Sequence, residues 1–174
     1  MATLKSDIDP STDHILGNAN ARVTLVEYGD YECPHCAKAQ PVVEAMRAAM
    51  GDDLRVVFRN FPLSQIHPHA TRAAEAVEAA GVQGKFWQMH DAVFAHQSEG
   101  LADAHLLALA EEVGADKAAV ESALHEKTFA AHVQDDFAGG VRSGVNGTPT
   151  FFINGARYDG SWDEETLLEA LRAA

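Results

Sequence analysis

Basic residues are scarce in this chain of 174 residues: 13 lysines and arginines stand against 26 aspartates and glutamates, a formal net charge of −13. A surface this acidic repels DNA, RNA and anionic lipid, so no nucleic-acid partner is expected. An uninterrupted apolar run of about 18 residues is also missing, which argues against a membrane-spanning helix and leaves no membrane insertion to expect. Met1 to Ala21 carries Asp7, Asp9 and Asp13 but lacks the apolar stretch of a secretory signal. On that reading the chain is cytoplasmic as it stands, and periplasmic or exported if a signal has been removed. Cysteine is rarer than any of these. The two present, Cys33 and Cys36, are too few for a structural disulfide framework. Their spacing calls for a chemical explanation.

What is present reads as alternating strand and helix. Arg22 to Tyr28 (RVTLVEY) is rich in β-branched and aromatic residues and predicts a strand, broken by Gly29-Asp30. Pro34 to about Met50 predicts a helix with Val42, Val43, Met46 and Ala49 along one face. Gly51-Asp52-Asp53 ends it, and Leu54 to Phe61 predicts a second strand, which makes a right-handed βαβ unit. From Pro68 to about Val145 alanine is dense and strand character is lost. Four or five helices are expected there, with Gly81, Gly84, Gly100 and Gly114 as stops. Thr150 to Ile153 and Ala156 to Tyr158 flank Asn154-Gly155, the strongest short hairpin signal. Ser161-Trp162-Asp163-Glu164 predicts a capping box opening a last helix with Leu167, Leu168 and Leu171 inward. The expected fold class is therefore α/β, a single domain over 1–174. Residues 14–63 and 146–174 form a βαβ…ββα core, with an all-helical insertion at 64–145.

Cys33-Pro34-His35-Cys36 lies at the start of the first helix. Pro34 suits the first helical position, where its missing N–H costs nothing. Free amides and the positive end of the helix then face the Cys33 sulfur, and His35 can add a donor or a proton. Both favour thiolate, so Cys33 is expected to be an exposed nucleophile. Cys36, in the first turn, faces inward to resolve the mixed disulfide. Half of a zinc site is the rival explanation. Structural zinc takes four ligands, no third cysteine exists, and Pro68 separates the one close pair, His67 and His69. No metal is expected. Phe86, Trp87, Met89, His90 and Phe94 recur at helical spacing, which favours core over a binding groove, and Trp162 is expected to pack as well. His67 and His69 are expected to be solvated or capping.

The segments TLVEYGDYECPHC and VNGTPTFFING, with a helical block between them, resemble the DsbA-like branch of the thioredoxin superfamily. The resemblance runs from about Asp13 to Leu171 and is closest to a bacterial subgroup. It implies a thioredoxin-like fold and a protein disulfide oxidoreductase whose only redox group is the Cys33–Cys36 disulfide, with no separate cofactor. Cys-Pro-His-Cys is the motif of the strongly oxidising members, which points to an oxidase. Thr148 and Pro149 match the family's cis-proline, expected beside the disulfide with the Thr148 backbone free for substrate. Glu27 matches a buried acid able to relay the proton of Cys36, and Pro41 matches a helix-bending proline. Tyr31 and Glu32 flank the nucleophile, and Tyr31 is expected to touch substrate. The implied partners are protein or peptide thiols and disulfides, and a redox partner without a signature here. A cytoplasmic reductase or isomerase remains an alternative, as does a chaperone-like polypeptide-binding module. Such domains also occur joined to membrane transporters.

Overall fold

The computed structural model describes residues 1–174 and places five strands in one mixed sheet. The first half runs β1 (His14–Gly17), β2 (Val23–Gly29), α1 (Pro34–Met50) and β3 (Leu54–Asn60). Then come α2 (Ala70–Gly81), α3 (Phe86–Ala95), α4 (Asp103–Glu112), α5 (Lys117–Glu126) and α6 (Ala130–Arg142). The chain closes with β4 (Thr150–Ile153), β5 (Ala156–Tyr158) and α7 (Glu164–Ala173). Strand order is β1-β3-β2-β4-β5. Only β2 and β3 are parallel, Val23 pairing with Leu54 and Gly29 with Asn60. The expected βαβ…ββα core around five helices is present.

β2 and β3 are buried along nearly their full length, which is why they read as apolar runs without strict alternation. Side chains still alternate between faces. Val23, Leu25 and Phe151 meet Ala39, Val43 and Met46 of α1 and Leu167 and Leu171 of α7. Val26, Tyr28, Val57 and Phe152 form the opposite layer, with Phe61 and Phe137. At Gly140 of α6 the helix comes so close that a Cβ would sit 2.7 Å from Phe61 and 3.0 Å from Tyr28. No helix is long and apolar enough to cross a membrane.

Four local readings change. β1 was not expected: its four residues pair antiparallel with the edge of β3 and carry too little pattern to be read in isolation. The cap of α7 is Asp163, whose carboxylate accepts from the Thr166 amide; Ser161 instead donates to Asp163. α5 ends without a glycine, Lys127 taking the left-handed conformation (φ 54°). Pro41 lies inside an α1 that is continuous from Pro34 to Met50. The hairpin is as read, with Asn154 and Gly155 both at positive φ (47° and 86°).

Candidate active site

β2 ends at Gly29 and the chain turns through Asp30 to Glu32 before α1 begins at Pro34, leaving Cys33 at the N-cap with extended backbone. Cys33 and Cys36 are both free thiols. Cys36 is fully buried, as expected, and accepts from the Asp30 amide at 3.5 Å. Cys33 is more covered than its expected exposed position, at 4% of its surface. Its cover includes Thr148, whose carbonyl lies 3.5 Å from the Cys33 sulfur, and the Thr148–Pro149 bond is cis.

These surroundings push the two sulfurs in opposite directions. The Cys33 thiol falls from 9.0 to about 5, first because the Cys36 thiol donates to it; the Thr148 side chain and the amides of Cys36 and His35 add to this against the cost of burial. Cys36 is driven far above the ordinary thiol range by burial, by its bond to Cys33 and by the nearby Glu27 charge. The helix-start amides thus act as expected but rank behind the partner thiol. His35 contributes through its backbone N–H, and its side chain is exposed.

Glu27 shares the β2 face of Leu25, under α1, and is 1% exposed. Burial alone raises its carboxyl from 4.5 to about 8, and Oε1 has no hydrogen-bond partner. An unpartnered, protonated carboxyl beside a buried thiol can exchange a proton with it.

Tyr31 requires correction. It is 1% exposed, its ring lying against Phe58 and Phe94 with centroids 5.2 and 4.8 Å away, so its side chain is closed to substrate. Its hydroxyl meets His90 Nδ1 at 2.8 Å. Burial lowers His90 to about 3, so this histidine is neutral and part of the core. The rest of the aromatic stripe is core too: Phe86, Met89 and Phe94 are buried and Trp87 packs against them. Trp162 packs against the α1–α7 layer.

The structure adds residues that the sequence did not single out. Gln97, after α3, donates its one side-chain amide to the carbonyls of Tyr31 (2.7 Å) and Cys33 (2.9 Å). Buried Asp30 holds the Glu32 and Leu63 amides and His67 Nδ1. Glu32 holds the amide and ring of His69. The two histidines therefore tether the active-site turn to the start of the insertion, while the His69 side chain stays 44% exposed. No local pattern could disclose this, because the partners lie 37 positions apart.

A thiol of lowered pKa at a helix N-cap, a second, buried thiol one turn on and a cis-proline loop over the first sulfur define a thiol–disulfide oxidoreductase centre on a thioredoxin-like fold. The thioredoxin family model matches residues 9–173, and the chain belongs to that family. Among solved structures, a thioredoxin-like oxidoreductase from Silicibacter pomeroyi DSS-3 is 30% identical, with a TM-score of 0.80 over 95% of this chain and 92% of that one. BdbD from Bacillus subtilis shares the fold, with a TM-score of 0.87 at 22% identity over 99% and 98%. A Na(+)/H(+) antiporter NhaA 1 of Salinispora arenicola is 45% identical over 96% of this chain. An NhaA antiporter of Herminiimonas arsenicoxydans is 43% identical over 98%. The chain spans about a quarter of the length of these curated relatives, 25% and 27%.

Proposed function

We propose that the chain oxidises thiols of proteins or peptides, with Cys33 as nucleophile, Cys36 as resolving thiol and Glu27 as proton carrier. The observation that carries this reading is the opposite displacement of the two thiols, Cys33 down to about 5 and Cys36 far up. A stable Cys33 thiolate favours the reduced form, so the oxidised form gives its disulfide away. In the forward step a substrate thiolate attacks the Cys33 sulfur, the Cys33–Cys36 bond breaks, and Cys36 leaves with the electron pair. Glu27, still protonated at neutral pH, supplies the proton that Cys36 takes up. A second substrate thiolate then attacks the substrate sulfur of the mixed disulfide. The substrate disulfide forms, and Cys33 departs as thiolate. A redox partner must accept the two electrons before the next cycle.

Equilibration of the dithiol with glutathione tests the direction. An oxidase has a potential well above the roughly −270 mV of thioredoxin, towards about −120 mV. A value at the thioredoxin end makes the chain a reductase. The antiporter relatives support a second reading of the partner: an exchange domain that serves the cysteines of a membrane transporter. Cys36→Ala should trap the mixed disulfide on Cys33, and the trapped polypeptide tells a transporter from other thiol proteins.

A further inference from the structure

A second cluster lies on elements other than the Cys33 turn. His14 stands at the start of edge strand β1, Glu78 in α2 and His132 in α6. The Glu78 side chain is 6% exposed and both imidazoles turn their Nε2 atoms onto it. His14 Nε2 lies 2.7 and 3.0 Å from the two carboxylate oxygens, and His132 Nε2 lies 3.2 Å from Oε1. One ligand atom from each residue falls within 4.8 Å of the others. His132 Nε2 is itself buried and lacks a hydrogen bond of proper direction, despite its proximity to Glu78. Asp136 Oδ2, one helical turn on, is 3.5 Å from it. The arrangement is held: the His14 ring stacks on Phe86 at 3.5 Å with planes 7° apart, and Asn60 Nδ2 donates to both Glu78 and Asp136.

We propose that His14, Glu78 and His132 form a binding site for a divalent first-row transition metal, with zinc as the reference ion and Asp136 or water completing the shell. Two imidazoles and a carboxylate suit zinc and its neighbours, whereas calcium and magnesium prefer oxygen alone. Zinc bonds of about 2.0–2.2 Å put neighbouring ligand atoms roughly 3.3 Å apart. The His132–Glu78 pair already has that spacing, and His14 needs to retreat only slightly. Access is open. His132 and Asp136 also line a surface cavity of about 310 Å³ whose walls include Asp7, Asp9, Asp13 and Asp135. Two arginines line it, Arg59 and Arg142; Arg59 is paired with Asp13 at 2.8 Å, and the five aspartates outnumber them, so the wall attracts cations. A bound ion would pin β1 to α2 and α6, stapling the helical insertion to the sheet. Protons compete for the same imidazoles. The rival account is a hub of hydrogen bonds and ion pairs that binds no metal.

The full chain, stripped by chelator and with Cys33 and Cys36 oxidised so that the thiols cannot ligate, is titrated with Zn²⁺ and Co²⁺ at about pH 8. Calorimetry should find one equivalent, the melting temperature should climb with zinc, and cobalt should absorb in the visible without a thiolate band. His14→Ala and His132→Gln should each weaken binding by more than about tenfold and leave thiol–disulfide exchange unchanged. Should His14→Ala fail to fold, having lost its stack on Phe86, His132→Gln, at a partly exposed position, decides alone. Absence of binding to the oxidised protein overturns the proposal. So does equal affinity in His132→Gln, or binding of Ca²⁺ in preference to Zn²⁺.

Discussion

Glu27 and Glu78 are both buried carboxyls, yet one is pushed up to about 8 and the other held down at about 2. The cost of burial is the first cause for both. Around Glu27 nothing opposes it, because the neighbours are apolar side chains and a neutral thiol. Around Glu78 two imidazoles outweigh it, by hydrogen bond and by charge. Burial therefore does not decide charge in this fold; the partners do. The first region holds a buried, protonated carboxyl near Cys36. The second keeps a fixed anion that ties the insertion to the sheet.

The largest effect should come from the thiol that gives the Glu27 region its purpose. Cys33→Ala should reduce thiol–disulfide exchange by at least about a thousandfold with little change in unfolding free energy, read by oxidative refolding of a reduced test protein. Next, the two carboxyls should separate in stability. Glu78→Ala leaves two histidines facing a lost anion and should cost about 3 kcal/mol in urea unfolding. Glu27→Gln removes a burden and should stabilise the fold at neutral pH, by an amount that grows as pH rises from about 4.5 to about 8. Its cost is kinetic: single-turnover formation of the mixed disulfide by the oxidised protein should slow roughly tenfold to a hundredfold at neutral pH. Equal destabilisation by the two substitutions would break the comparison.

The pH dependence sharpens it, best read in a Cys33→Ala, Cys36→Ala background where the thiols do not titrate. The unfolded Glu27 loses its proton near 4.5 while the folded one keeps it to about 8, so stability should fall as pH rises through that window. Glu78 behaves oppositely. Its contribution is present above about 4.5 and lost as pH drops towards 2. Glu27→Gln should flatten the first slope and Glu78→Gln the second. The smallest effect belongs to Gln97→Ala, which frees the Tyr31 and Cys33 carbonyls and should cost about 1–2 kcal/mol. Exchange should slow only severalfold.

Local chemistry made much of the fold legible. Pro34 at a helix start, β-branched runs in β2 and β3, and Asn154-Gly155 between two apolar strands each state their own conformation. The pair Cys33 and Cys36 needs only one turn of helix to meet. Glu27 was reachable through strand alternation and its match to the family, because both place it under α1. β1 escaped because four residues at a sheet edge borrow their conformation from β3. Tyr31 was misjudged for a related reason: adjacency to a nucleophile says nothing about which way a side chain turns, and Phe58, His90 and Phe94 had already built a pocket for it.

The sequence by itself determined the sheet and helix order, the dithiol and its place at a helix N-terminus, since these rest on interactions within a few residues. Only the tertiary structure decided how acidic each group is and what each histidine holds. His67 meets Asp30, His69 meets Glu32, and His14 and His132 converge on Glu78 across three elements. Electrostatic energies depend on distance and burial in space, and neither is written in the spacing along a chain.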